Sequence, residues 1–246
     1  MVEQRTLNPC VEGSTPSGSY FMRMKPLIWS GDLAYAIGLF VADGHLSIDK
    51  RHLDFTSKDV EQVETFRKSL GLTIRITRKA REKEKIKKYF HVSFGDVELY
   101  RFLKGIGIPQ QKSKEIKKVV IPVKFFPDFL RGYLDGDGSV HIYKHPETTR
   151  KQLKIRFFSG SLQFLFWLRS NIKRKVSIHG RINRVIRAWS LIYSKREALK
   201  LTKFMFYSKN LPQLKRKSGP LLEYLEKNKD FISRRWQNRF TILSKK

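Results

Sequence analysis

Soft metal ligands and cross-links are almost missing from this chain. Cys10 is the single cysteine, which excludes an internal disulfide framework and any cysteine-rich zinc site and fits a reducing interior. The six histidines show no metal-ligand spacing. No apolar run approaches the roughly 18 residues of a membrane span, and no stretch of signal-peptide type opens the chain. Acids are scarce as well: 22 Asp and Glu face 51 Lys and Arg, for a formal charge of +29 and a pI near 10.3. Solubility does not require so large an excess, so it implies a polyanionic partner. Nucleic acid leads. A membrane surface is the weaker candidate, because no basic amphipathic helix stands apart from the fold. These absences predict an intracellular protein, in cytoplasm, nucleoid or an organelle matrix, that is not secreted and has no membrane partner.

What is present suits a globular protein. The 246 residues are 40% hydrophobic, enough for one large domain or two of about 120 residues with real cores. Residues 1–24, with Pro9, Gly13, Pro16 and Gly18 among Ser and Thr, have no periodic apolar pattern. They are expected to be a disordered tail, with Met22 or Met24 as an alternative start.

Two apolar runs are near-copies: Gly38-Leu39-Phe40-Val41-Ala42-Asp43-Gly44 and Gly132-Tyr133-Leu134-Asp135-Gly136-Asp137-Gly138. Ala34, Gly38 and Ala42 in the first, and Gly132 and Gly136 in the second, recur every four residues. As helices, each run presents one small-residue face. Two such faces can meet backbone to backbone, which predicts a paired helix dyad with one Asp at each tip. A second match, Ile108-Pro109-Gln110-Gln111-Lys112-Ser113-Lys114 against Leu211-Pro212-Gln213-Leu214-Lys215-Arg216-Lys217, extends the duplication from a motif to a domain.

The periodicities between these markers agree. A helix capped by Ser30 runs to Asp43, with Gly44 as its stop. A short hairpin spans residues 45–56, a helix 60–70, strands 73–79 and 89–94, and a helix 96–105. After Pro127 the order repeats: a helix to Asp137, strands 139–143 and 153–158, a helix 162–172, strands 176–182 and 185–193, and a helix 197–206. The unit is αββαββα, present twice. Residues 25–108 form the first repeat, 109–124 a basic linker, and 125–246 the second repeat with a C-terminal extension. Eight Lys or Arg against two acids fall between residues 73 and 91, so these strands should turn a basic face to solvent, suited to a nucleic-acid groove.

A carboxylate at a helix C-terminus adds to the partial negative charge already there. Two such ends side by side repel and call for a cation, and carboxylate and carbonyl oxygens suit Mg²⁺. Mn²⁺ and Ca²⁺ are alternatives. An EF-hand loop is excluded, because counting from Asp135 the sixth residue is Val140 rather than Gly and the twelfth is Pro146 rather than Glu. Acid-bound Mg²⁺ beside a basic surface points to phosphodiester hydrolysis, with Lys112 and Lys215 as candidates for offsetting charge on the phosphate.

The paired runs resemble the signatures of the LAGLIDADG homing endonucleases in their single-chain, two-repeat form. The resemblance spans about residues 27–225. It implies an α+β fold of two pseudo-twofold repeats, whose antiparallel sheets form a saddle on double-stranded DNA around a central packed helix pair. It also implies a monomer, a long target site, and metal-dependent cutting of both strands that leaves 3′ overhangs. By the same resemblance Asp43 and Asp137 are the catalytic, metal-binding acids, and the Ala42 and Gly136 carbonyls are further ligands. The earlier motif acid is Val41 in one repeat and Asp135 in the other, which gives Asp135 a supporting role. Where the family often has Gln or Lys after the second strand, this chain has Ser57 and Lys58, against Gly160 and Ser161, so the two centres are expected to be unequal.

Strand alternation nominates Arg75, Thr77, Lys79, His141, Tyr143, Lys154, Arg156, His179, Arg181 and Arg187 for DNA contact. A register error of one residue would invert this set. Intron encoding is the expected setting. An intein is disfavoured, since the chain has no splicing Cys or Ser at its start and no His-Asn at its end. The alternatives are an RNA-binding maturase acting on intron RNA and a non-cleaving DNA-binding protein of the same fold.

Overall fold

A computed structural model of the chain describes residues 27–80, 86–110, 115–144 and 151–228. Ser30 starts the first helix, its hydroxyl accepting from the Leu33 amide at 3.1 Å. Helix α1, Gly31–Asp43, leads directly into β1 (Gly44–Leu46) and β2 (His52–Ser57). Then come α2 (Val60–Ser69), β3 (Thr77–Lys79), β4 (Tyr89–Gly95) and α3 (Val97–Gly105). Asp59 and Asp96 cap α2 and α3 by accepting from Glu61 and Leu99 amides. A 3₁₀ turn at Val123–Phe125 opens α4, Phe126–Asp137, with Pro127 in its first turn. The second repeat follows as β5 (Gly138–Lys144), β6 (Lys151–Ser159), α5 (Leu162–Val176), β7 (Arg181–Val185), β8 (Ala188–Ser194) and α6 (Arg196–Met205). Helix α7, Lys215–Lys227, comes last.

Each repeat makes one four-stranded antiparallel sheet, and both have the same strand order, β1-β2-β4-β3 and β5-β6-β8-β7. Leu53, Phe55, Val92 and Phe94 on the first sheet, and Leu153, Ile155, Phe157 and Leu191 on the second, are buried against helices. Phe55 stacks on Phe66 of α2 at 4.2 Å, while Tyr133 of α4 stacks on Phe157 and meets Phe164 of α5 edge-on.

Helices α1 and α4 form the centre, and every residue from Leu33 to Val41 is buried. Their contact needs the small residues seen in the sequence. A Cβ on Gly38 would lie 2.2 Å from the Phe129 carbonyl oxygen and 2.7 Å from the Tyr133 nitrogen, and one on Gly132 would lie 2.0 Å from the Tyr35 carbonyl oxygen. Gly136 faces the Ala42 methyl in the same way. No side chain fits between these backbones.

Gly44 stops α1 as expected, in an extended conformation with φ −80° and ψ 164°, and its missing Cβ makes room for the Phe40 ring. Other expectations are corrected. Only Thr77–Lys79 of the 73–79 run joins the ladder, although exposure alternates from Thr73 to Thr77. Helix α5 continues to Val176, closing on Ser177 in the left-handed region, so no strand begins at 176. The second hairpin turns at Ile186-Arg187, between the Val185–Ala188 pair. The proposed tail lies outside the described residues.

Gly38→Ala should destabilise the protein by about 3 kcal/mol or more, because a Cβ there overlaps backbone that cannot yield. Gly105→Ala, with nothing within 4 Å of its Cβ position, should be neutral or stabilising by about 0.5 kcal/mol. Thermal melts of the two variants check the contrast.

Candidate DNA-cleavage site

The carboxylates of Asp43 and Asp137 end α1 and α4. Close packing of the helices places one tip against the other, and Asp43 Oδ2 lies 3.7 Å from where a Gly136 Cβ would stand. Asp43 is half-buried and Asp137 exposed. Both raise the proton affinity of the Tyr133 phenol, whose pKa burial has already pushed far up.

The two acids have different neighbours. Gln62, 2% exposed in the first turn of α2, donates from Nε2 to Asp43 Oδ2 at 2.7 Å. Its Oε1 accepts from the Ser57 hydroxyl at 2.8 Å, so Ser57 stands behind Gln62 and fixes which way the amide points. Lys58 instead lies over the Tyr89 ring at 5.5 Å. In the second repeat Ser161 caps α5 and donates to the Ile116 carbonyl. Three residues after that cap, where the first repeat has Gln62, stands Phe164.

The second acid is backed by a lysine. Lys217 of α7 is buried, and its Nζ donates to the carbonyls of Leu134, Asp135, Gly136 and Gly138 at 2.8, 2.7, 3.0 and 2.8 Å. An ammonium has three protons, so one is shared. The cation satisfies the exposed carbonyls of the α4 terminus and offsets its negative end. Burial pushes its pKa down to about 8, against the pull of Asp135, Asp43 and Asp137. Lys215, two residues earlier, is exposed, and its backbone amide donates to Glu61 at 3.1 Å. Lys112 lies outside the described residues.

Residues 212–217 bind both repeats. The Pro212 carbonyl accepts from fully buried Arg131, which also donates to the Met205 carbonyl and pairs with Asp128 at 2.7 Å. The Leu214 amide donates to Asp135 Oδ2 at 2.9 Å, and Arg216 pairs with Asp59 of the first repeat at 2.6 Å. Asp135 is therefore an internal tie, accepting also from the Tyr35 hydroxyl of α1 at 2.7 Å. Burial raises its pKa to about 6, with those hydrogen bonds, Lys217 and Arg131 opposing.

Of the DNA-contact candidates, His141, Tyr143, Lys154, Arg156 and Arg181 share one face of the second sheet. His141 pairs with Lys154, Tyr143 with Gln152, and Arg156 and Arg181 both with Ile192. Lys154 Nζ sits over the Tyr143 ring at 4.6 Å. On the first sheet Thr77 and Lys79 are exposed beside His91 and Tyr89, and the Thr77 hydroxyl bonds His91 Nδ1. Arg75 is exposed but precedes β3, and His179 precedes β7 with its amide on Glu197. Arg187 occupies the hairpin turn at φ 62°, a correction to its strand placement.

Two carboxylates flanked by helix-end carbonyls, without Cys or His, form a donor set for a hard divalent ion. Among the described residues no group of three or more His, Cys, Asp or Glu is placed to hold a metal. Such an ion would draw its remaining ligands from water and phosphate. The Gly136 carbonyl already accepts from Lys217, which leaves it one lone pair.

The sequence profile of the LAGLIDADG-like domain matches residues 30–107. These residues are a LAGLIDADG-like domain. The described residues have the fold of the LAGLIDADG homing endonucleases. Homing endonuclease I-WcaI bound to its DNA recognition sequence superposes with TM-score 0.55 and 13% identity, covering 77% of this chain and 88% of that one. I-DmoI in complex with DNA and Ca gives 0.52 and 13%, over 79% and 97%. Full-length DUF199/WhiA from Thermatoga maritima gives 0.52 and 17%, over 88% and 68%. No curated protein matches. Among the described residues no helix is long and apolar enough to cross a membrane.

Gln62 and Lys217 were missed from sequence. Gln62 stands four residues before buried Phe66, so it is a polar residue on the apolar stripe of α2, and that was its signal. Lys217 is the second lysine of the Pro-Gln-x-Lys-x-Lys segment. Only the start of α7 at Lys215 decides which lysine turns inward.

Because the folded pKa of Asp135 exceeds its ordinary 3.8, its contribution to stability is full below about pH 4 and is lost as pH rises through about 6. Asp135→Asn should therefore gain on wild type by up to roughly 3 kcal/mol between pH 4 and 7. Paired urea titrations across that range measure the gap, and a constant gap would contradict it.

Proposed function

We propose that the protein is a site-specific endonuclease that binds a long double-stranded DNA target as a monomer and hydrolyses both strands, leaving 3′ overhangs, with intron homing as its setting. The observation that carries this reading is the junction of two acid-tipped helices beside the second sheet, whose outward face carries His141, Lys154, Arg156 and Arg181. The fold alone does not carry it, because DUF199/WhiA shares that fold and folds host unrelated functions. Retained acids at both tips favour cutting, since a simple binder would gain by losing negative charge beside phosphate.

Asp43 and Asp137 would hold Mg²⁺, or Mn²⁺ or Ca²⁺, with help from the Ala42 and Gly136 carbonyls; the I-DmoI complex with DNA and Ca gives this choice a precedent. A bound divalent ion supplies an activated water and charge stabilisation for in-line displacement at phosphorus. The chain's own residues do the rest. The outward side chains of β5, β6 and β7, with Thr77 and Lys79, neutralise phosphates and read base edges. Gln62 fixes the rotamer of Asp43, and Lys217 fixes the end of α4 beneath Asp137. Exposed Lys215 offsets charge on the phosphate, the role also proposed for Lys112 of the linker. With Gln62 on one acid and Phe164 at the matching place, the two strands are cut at different rates. Residues 25–108 and 125–246 act as the two half-site readers joined by 109–124.

Asp43→Asn or Asp137→Asn should abolish double-strand cleavage of the cognate site with Mg²⁺ while leaving duplex binding within about threefold. Cognate duplex comes from selecting cleaved sites out of a random library, and unchanged cutting by either variant would refute the assignment. Lys215→Ala should slow cutting about tenfold or more without moving the melting temperature. Lys217→Met should lower the melting temperature, by about 2 kcal/mol of stability or more, because it leaves buried carbonyls unpaired.

A further inference from the structure

The sheets do not absorb all of the positive charge. In the first repeat, helices α2 and α3 are balanced: Arg67, Lys68, Arg101 and Lys104 against Glu61, Glu64 and Glu98, with Asp59 and Asp96 as caps. In the second repeat the matching helices α5 and α6 carry Arg169, Lys173, Arg174, Lys175, Arg196, Lys200 and Lys203 against Glu197 alone, and their caps are Ser161 and Lys195. Glu197 is turned to the His179 amide. Among the described residues, no ion pair joins a basic residue of α5 to an acid. Instead Arg174 bonds Asn171, Lys175 lies over Phe126, and Arg169 lies over Phe166. Like charges gathered on α5 with so few acids near them repel, and pseudo-symmetry offers the same fold a balanced alternative in the first repeat.

This charge also faces away from the DNA saddle. Helix α5 buries Phe164, Leu165, Leu168 and Ile172 towards the second sheet, whose Leu153, Ile155 and Phe157 are buried in turn. The opposite stripe, Gln163, Phe166, Ser170, Lys173 and Arg174, is exposed. A duplex lying on His141, Lys154 and Arg156 is separated from it by the thickness of a sheet and a helix. On the stripe stands an aromatic ring, Phe166, 44% exposed with a guanidinium 5.2 Å from its centre. Duplex DNA offers such a ring nothing to stack on, whereas unpaired bases do.

We infer that the helical face of the second repeat, α5 with the start of α6, is a second nucleic-acid surface that binds unpaired nucleotides, with Lys173, Arg174 and Arg196 on phosphates and Phe166 under a base. The inference goes beyond the endonuclease reading and does not depend on cleavage. Both RNA and single-stranded DNA supply this chemistry.

The test uses the full chain and fluorescein-labelled twenty-nucleotide oligo(U) and oligo(dT), read by anisotropy at physiological salt. The triple variant Lys173→Glu, Arg174→Glu, Arg196→Glu should lose about tenfold or more in oligonucleotide affinity and about two units of salt slope. Its affinity for a random-sequence duplex should fall by less than about threefold. Phe166→Ala should weaken oligonucleotide binding about tenfold. Lys154→Glu with Arg156→Glu should do the reverse, weakening the duplex and sparing the oligonucleotides. Preference for oligo(U) would assign the strand to RNA, and equal affinity would assign it to unpaired strands of either kind. Unchanged oligonucleotide binding in the triple variant, or parallel loss of duplex and oligonucleotide binding, would overturn the inference. So would loss of binding to phosphatidylserine vesicles alone. A chain that cuts no DNA but shows the expected split would leave this surface standing and remove only the endonuclease reading.

Discussion

Backbone contact between α1 and α4 is the constraint on which the rest depends. With Gly38 and Gly132 facing backbone atoms at distances no Cβ could occupy, the helices have essentially one relative position. That position fixes where their last residues stand. Asp43 and Asp137 are neighbours because glycines five residues earlier allow it. The sheets hang from the same pair, since each follows its helix without a loop: β1 begins at Gly44 and β5 at Gly138. Gly44 and Gly138 serve packing, giving space to Phe40 and Leu134 rather than a left-handed turn.

Around this symmetric centre the supporting groups differ. One acid leans on a neutral amide held by a serine hydroxyl, while the other tip rests on a buried ammonium shared among four carbonyls. The first arrangement constrains a side chain, and the second constrains a helix terminus. The outer helices diverge in the same sense, charge-balanced in one repeat and almost wholly basic in the other. The two repeats share a strand order, and they differ in element lengths and in the side chains that line the shared frame.

Much of this was legible in sequence because it repeats. Small residues every four positions gave the helix pair, apolar alternation gave most strands, and duplicate segments gave the pseudo-twofold order. What sequence could not give was direction. Gln62 sits on the apolar stripe of α2 but its amide gives no sign of what it meets, and for Lys217 only the docking of α7 turns the side chain inward. Arg187 was misplaced because Ile182 and Val185 both fit a strand, and the two-residue turn after them carries no glycine. The 73–79 run alternates as a strand should, yet its first half has no ladder partner, which is a property of the neighbour rather than of the run. Asp135 read as a motif acid, and its role as a buried tie emerges only when the Leu214 amide and Tyr35 hydroxyl are seen to share one oxygen.

The segment 212–217 comes late in the second repeat but closes contacts in both, through Arg131, Asp135, Asp59 and the end of α4. On a ribosome, α1 and α4 emerge with their carboxylates well before Lys217 is synthesised. The second acid-bearing tip is therefore finished only once residue 217 has been added, and a chain that stops short of it carries both acids without the cation that holds one of them.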